Sequence, residues 1–168
     1  MKKPTDFSAA TSLLRKCSKM GNIVGLVRAH SSIEEIKNAT AEALDLIEFK
    51  PKEPIRTVDI KVNLCYYWQS ATGYTTDPRL VASVIDCIRE KYSDDAYIRV
   101  VEADATAMRT RHAFKMLGYE KLAKEKNIEL FNLSTDDISQ ETVHVNGREI
   151  SFQVPKSLLI FGICFTDY

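Results

Sequence analysis

Short continuous apolar runs alternate along the chain with apolar positions at helical spacing. In GNIVGLVRAH, Ile23 to Val27 predicts a short strand, weakened by Gly25, which offers no side chain for packing. SSIEEIKNATAEALDLIEF then places Ile33, Ile36, Thr40, Ala43 and Ile47 along one helical stripe. Ser31 or Ser32 stands ready to cap it, with Glu34 or Glu35 three positions later. KPKEP, Lys50 to Pro54, closes that helix, and TVDIKVNL predicts a second strand from about Thr57 to Val62. Asp77 and Pro78 open the next helix, Asp as an acceptor at the N-cap and Pro at the first helical position. Leu80, Val81, Val84, Ile85 and Ile88 form its apolar face. A third strand is expected near Tyr97 to Glu102, helical material interrupted at Gly118 follows in RHAFKMLGYEKLAKEKN, and IELFNL supplies a strand from Ile128 to Leu133.

Helices set between short apolar strands predict a three-layer α/β fold with a mostly parallel sheet and right-handed crossovers. The last third changes rhythm. In VHVNGREISFQV, Asn146-Gly147 sits between alternating arms, the pattern of a type I′ turn, so a C-terminal β-hairpin is added to the α/β fold. PKSLLIFGICF is expected to supply one more strand. Residues 1–22 read as an N-terminal arm or short helix, and 23–168 as a single α/β domain.

Composition narrows the classes of function. Lys plus Arg and Asp plus Glu each number 23 among 168 residues, so no net field favours nucleic acid or an anionic membrane. No apolar run approaches the roughly 20 residues needed to span a bilayer. The opening MKKPTDFSAATSLLRKCSKMG lacks the apolar centre of a secretory signal, which favours a cytoplasmic location. Cys17, Cys65, Cys87 and Cys164 form no CxxC pair, so neither an iron-sulfur cluster nor a zinc knuckle is expected. His30, His112 and His144 are dispersed, and no phosphate-binding glycine loop or dinucleotide fingerprint occurs. The cofactor, if there is one, is unspecified.

Candidate chemistry gathers where strands hand over to helices, since ligands of open α/β sheets lie beyond the carboxyl ends of parallel strands. Lys61 supplies a compact cation, Asn63 both donates and accepts, and Thr75, Thr76 and Asp77 precede a helix whose first N–H groups favour anions. These five residues are expected to bind a small anionic ligand. Glu102 and Asp104, after the third strand, are the candidates for a general acid and base, for a cation site, or for a solvated strand end. The bland reading stands beside each: Asp77-Pro78 is an ordinary cap, Asn63 fastens a loop, and Lys61 is an edge-strand residue. Tyr66, Tyr67, Trp68 and Tyr74 either anchor that loop or face a ligand or a partner. The rival function is therefore a noncatalytic protein-binding or electron-transfer accessory, with a protein partner or a homo-oligomer.

IKVNL, TTDPRLVASVID, IRVVEADA, AFKMLGYEKLAKEKNIELFNL and VPKSLLI, spread in order over about Thr57 to Ile160, resemble the family defined by domain of unknown function 362. Its members commonly resemble IKPNL at the first motif. Val62 here takes the place of that Pro, which keeps Lys61 and Asn63 but alters the constraint on the backbone between them. The resemblance implies an α/β domain of unsettled biochemical role, and for this chain a short or truncated member. Longer members carry a ferredoxin-like, cysteine-rich segment that this sequence lacks, so their iron-sulfur chemistry does not transfer. A more distant likeness in fold to the nickel-dependent lactate racemase family brings no matching motif, and no cofactor ligand is carried over from it.

Overall fold

The computed structural model describes residues 15–16, 23–51, 54–160 and 164–165. The chain divides into two compact units, residues 1–50 and 51–168.

In the first unit, β1 (Arg15–Lys16) pairs antiparallel with β2 (Ile23–Val24), and α1 runs over Ile33–Leu46. Apart from Arg15 and Lys16, the arm or short helix expected over 1–22 lies outside the described residues. The strand expected from Ile23 to Val27 ends at Val24. Gly25 has a positive reason to be there: a Cβ on it would stand 3.0 Å from the carbonyl oxygen of Ala43 and 3.1 Å from Ile47 Cγ2, so a side chain would push the strand end off the helix. Ser32 is the N-cap, its hydroxyl accepting from Glu35 N at 3.2 Å while donating to the Glu35 carboxylate at 2.6 Å. That hydroxyl holds Glu35 below its usual pKa. The buried line of α1 is Ile36, Thr40 and Leu44, four residues apart, whereas Ile33 is 67% exposed.

The second unit is built on a four-stranded parallel sheet. Its strands are β3 (Thr57–Lys61), β4 (Tyr97–Glu102), β5 (Glu129–Asn132) and β8 (Cys164–Phe165), in spatial order β5-β4-β3-β8. Between β3 and β4 comes α2 (Pro78–Lys91), and between β4 and β5 come α3 (Thr110–Met116) and α4 (Tyr119–Lys126). The two crossovers run in the same direction across the sheet, so right-handedness puts all three helices on one face. There Val58, Ile60, Val62, Ile98 and Val100 pack with Val81, Ile85 and Ile88 of α2, Ala113 and Phe114 of α3, and Tyr119 and Leu122 of α4. Gly118, at φ +86°, makes the left-handed turn that separates α3 from α4.

After β5 the chain forms the antiparallel pair β6 (Ile138–Val145) and β7 (Arg148–Pro155), and then α5 (Lys156–Ile160). Asn146 (φ 51°) and Gly147 (φ 75°) both take the left-handed conformation, as a type I′ turn requires. The next strand of the sheet, β8, lies beside β3, so the order reverses direction, and the residues alternating with Val58, Ile60 and Val100 face the other side of the sheet. That second face is unusual in its chemistry. Asp59 and Arg99, opposite each other in register, form a doubly hydrogen-bonded pair at 2.7 and 2.6 Å, with side chains only 2% and 6% exposed. The guanidinium carbon lies 4.7 Å from the Phe131 ring centre.

The strand expected in PKSLLIFGICF is divided: among the described residues Pro155 ends β7, Lys156–Ile160 is helical and Cys164–Phe165 is strand. The reason lies twenty residues upstream. Lys156 N donates to Asp137 O and Ser157 N donates to the Asp136 carboxylate, both at 2.8 Å, which satisfies the N–H groups of a helical turn from outside the segment. The bond from Ser157 N also holds Asp136 below the usual carboxylate pKa.

Candidate functional site

The carboxyl end of β3 is where the strand order reverses, with β4 on one side and β8 on the other. At this position Lys61 ends the strand, and its ammonium donates to Val62 O at 2.6 Å and pairs with Glu102 Oε1 at 2.6 Å. Glu102 belongs to the end of the neighbouring strand and is 8% exposed, against 30% for the lysine side chain. Its carboxylate receives two further bonds at 2.8 Å, from Leu64 N to Oε2 and from Ala103 N to Oε1. Lys61 and Glu102, 41 positions apart, are thus brought together by the parallel pairing of β3 with β4.

The segment from Asn63 to Thr76 is a closed excursion. Asn63 N donates to Thr76 Oγ1 at 2.9 Å, Thr76 N donates back to Asn63 O at 3.0 Å, and Leu64 bridges Thr75. Asn63 Nδ2 reaches Tyr74 O at 3.3 Å, the Cys65 thiol donates to the same oxygen at 3.0 Å, and the buried Thr75 hydroxyl donates to Trp68 O at 2.8 Å. A 3₁₀ turn over Ser70–Thr72 ends at Gly73, whose φ of +76° suits a residue without Cβ. On the outside of this frame Tyr66, Trp68 and Tyr74 form a row: the centroids of Tyr66 and Trp68 lie 5.3 Å apart, as do those of Trp68 and Tyr74. All three rings are exposed, at 38, 48 and 62%. Tyr67 instead turns inward toward the core, and its hydroxyl accepts from Arg109 N at 3.0 Å.

Asp77 caps α2, as its position before Pro78 leads one to expect. Its carboxylate accepts from Arg79 N at 2.8 Å and is gripped by the Arg79 guanidinium at 2.7 to 3.1 Å, and that side-chain bond holds its pKa below the ordinary value. Leu80 N and Val81 N both donate to Asp77 O. The first N–H groups of α2 therefore close on their own cap, and the helix start presents less to an anion than the sequence pattern implies.

Asp104 lies apart from Glu102 in its contacts. It accepts from Thr110 N at 2.9 Å, Asn132 Nδ2 at 3.1 Å and Arg109 Nη1 at 3.1 Å, while its own N–H donates to Ser134 Oγ. The bond from Thr110 N is the largest cause of its lowered pKa. It ties the start of α3 to the end of β5. Thr75 and Thr76 line a cavity of about 370 Å³ together with Ser70, Pro78, Leu117 and Gly118, among others. Lys61, Asn63, Glu102 and Asp104 lie outside its lining. The seven candidates thus fall into three groups: an ion pair with its loop, a helix cap with two threonines at a cavity, and an aspartate organising α3. Nothing in the sequence marked the cavity-lining residues Ser70 and Met116 to Gly118 as part of a site, because the turn between α3 and α4 reaches the loop only through the tertiary fold. Tyr119, just beyond, donates its hydroxyl proton to Thr76 O at 2.8 Å.

Among the described residues no three His, Cys, Asp or Glu side chains stand where they could hold a metal ion, and no helix is long and apolar enough to cross a membrane. Neither the exposed Cys65 nor the buried Cys87 is in a disulfide.

A parallel sheet with a reversal point, helices over one face and a pinned loop beyond β3 define an α/β domain of the open-sheet class. Residues 58–161, more than half of the chain, match the family described as Domain of unknown function (DUF362), and the chain belongs to that family. No curated protein and no solved structure matches it.

Proposed function

We propose that this domain binds a small anionic ligand beyond the carboxyl end of β3, with the Lys61 ammonium as its anchoring charge. The observation that carries the reading is the placement of Lys61. A cation with three N–H donors spends two on Val62 O and Glu102, keeps its side chain 30% exposed, and stands at the reversal of strand order. Glu102 holds the ammonium in one place, so little side-chain entropy remains to be lost when an anion arrives. Asn63, Thr75, Thr76 and Asp77 fix the loop and the helix start beside Lys61, the two threonine hydroxyls through bonds to Trp68 O and Asn63 N. Both Glu102 and Asp104 accept backbone N–H bonds, which suits carboxylates that position other groups better than a proton-transfer pair. Binding is thus the better supported role, and catalysis enters only if the ligand supplies the reacting group.

Titration with inorganic phosphate and with succinate, followed by amide NMR shifts of Lys61, Leu64 and Ala103, tests this. Saturable shifts that weaken as salt is raised, and vanish in Lys61→Met, are the expected result. No saturable shift at tens of millimolar ligand, or equal shifts in Lys61→Met, would overturn it.

The exposed row Tyr66, Trp68 and Tyr74 favours a second reading, an accessory domain that meets a protein partner through this loop. Rigid aromatic side chains present large contact area with little rotamer entropy to lose, the usual make-up of an interface anchor. Under that reading Trp68→Ala abolishes assembly while Lys61→Met leaves it intact.

A further inference from the structure

Among the described residues the β6–β7 hairpin is a two-stranded sheet, and its pairing sorts its side chains by face. Four rungs, Val145 with Arg148, Val143 with Ile150, Glu141 with Phe152 and Ser139 with Val154, point one way. The intervening rungs, His144 with Glu149, Thr142 with Ser151 and Gln140 with Gln153, point the other way and are polar. On the first face Val143, Val145, Ile150 and Phe152 remain 41, 47, 47 and 43% exposed. A two-stranded hairpin is marginal in water, and four exposed apolar side chains on one of its faces make a surface to be covered.

The charges on that face indicate what covers it. Arg148 lies one rung to the turn side of the central Val143–Ile150 rung, and Glu141 lies one rung to the other side. A two-fold axis in the plane of contact, across the strands at the central rung, superposes the Val145–Arg148 rung of one copy on the Glu141–Phe152 rung of the other, and does so twice. Valine then meets valine and isoleucine meets isoleucine at the centre, while at each end Arg148 stands over Phe152 and Glu141 over Val145 of the other copy, so the two opposite charges lie on a diagonal, offset by one strand spacing of about 5 Å, within reach of an arginine side chain. Within one hairpin the two charged positions are four residues apart along the strands, about 14 Å at 3.4 Å per residue, too far to pair. The arrangement is self-complementary in the sense an isologous contact requires.

We infer that the chain self-associates as a symmetric dimer through this face of the β6–β7 hairpin, with Arg148 of each copy paired to Glu141 of the other. Eight-residue strands present a face only about 27 Å long and ~10 Å wide, well below the ~800 Å² per partner of a standard interface. The dimer is therefore weak, with a dissociation constant in the micromolar range or above.

Sedimentation velocity of the full chain from about 5 to 500 µM tests the inference, alongside Arg148→Glu, Glu141→Arg and the variant carrying both. The expected result is a concentration-dependent dimer in the natural chain, weakened at least tenfold by either single change and restored in the double variant. Circular dichroism verifies that each variant is folded. Restoration is the discriminating readout, because the two positions do not meet inside one copy. A monomer throughout the range would overturn the inference, as would a dimer indifferent to both single changes or a double variant no better than the singles.

Discussion

Replacing Glu102 by Gln tests whether this carboxylate is chiefly the pin of the β3–α2 loop. The carboxylate offers Oε1 to Lys61 Nζ and Ala103 N, and Oε2 to Leu64 N, all within 2.6 to 2.8 Å. An amide keeps one acceptor oxygen and turns the other position into a donor facing donors. In the less damaging orientation Leu64 N loses its partner; Leu64 is 0% exposed, so water does not replace the bond without opening the loop. An orphaned buried N–H costs ~1–3 kcal/mol, and loss of the charge-assisted character of the remaining bonds adds ~1 kcal/mol. The expected destabilisation of the loop is about 2–4 kcal/mol, or roughly a 30- to 900-fold rise in local opening. Lys61→Met removes the charge partner but leaves both backbone bonds, and the lysine is 30% exposed, so the loss is only about 1 kcal/mol after solvent screening.

Native-state hydrogen exchange of the Leu64 amide, read beside urea unfolding of the same variants, measures both quantities. The reasoning fixes an order: Glu102→Gln far above Lys61→Met, with Leu64 exchange accelerated only in the former. Equal losses in the two variants would mean that the ion pair, rather than the backbone bonds, holds the loop. Unchanged Leu64 exchange in Glu102→Gln would refute the argument outright.

Three further outcomes follow from contacts elsewhere. Arg99→Met leaves the Asp59 carboxylate buried without its partner and is expected to cost about 3–5 kcal/mol in urea unfolding, whereas Asp59→Leu with Arg99→Met together is expected to be near neutral, because a packed apolar pair avoids desolvating two ions. Asp104 has a pKa below its ordinary 3.8, so its contribution is fully present above that value and is lost as pH falls through the lower, folded-state value; acid unfolding of Asp104→Asn should show a shallower loss below about pH 4 than the natural chain. Gly147→Ala puts a side chain at φ 75° and is expected to cost the hairpin about 1–2 kcal/mol, seen as lost cross-strand NMR contacts between Val145 and Arg148.

The parts of the fold legible in the sequence are those set by local chemistry. Asp77-Pro78 marks the start of α2, Gly118 the break between α3 and α4, and Asn146-Gly147 the hairpin turn, each because a particular backbone geometry suits few residues. What stayed hidden depends on partners far along the chain. Nothing within PKSLLI says that Asp136 and Asp137 will satisfy its first N–H groups and make it helical. The pairing of Asp59 with Arg99 across two apolar strands depends on register, which the single strands do not state. The same holds for the site. Residue types identified Lys61 and Glu102 as chemically able groups, but their proximity, and the service of Glu102 to two backbone N–H groups, come only from parallel pairing of β3 and β4.

That dependence explains why one short connection draws so many polar residues. A loop leaving the end of a buried parallel strand must satisfy its backbone groups without a ladder, since orphaned buried donors are costly. Glu102 answers Leu64 N, Thr76 answers Asn63 N, and Asn63 and Cys65 answer Tyr74 O. The same bonds leave Lys61 fixed at the strand end and three aromatic rings facing outward. The polar residues thus remove the freedom of the loop, and the recognition roles proposed for the Lys61 ammonium and for the row of rings both draw on that rigidity. On the proposed reading, loosening the pin at Glu102 weakens anion binding at Lys61 even though the bonds lost are those from Glu102 to the loop backbone.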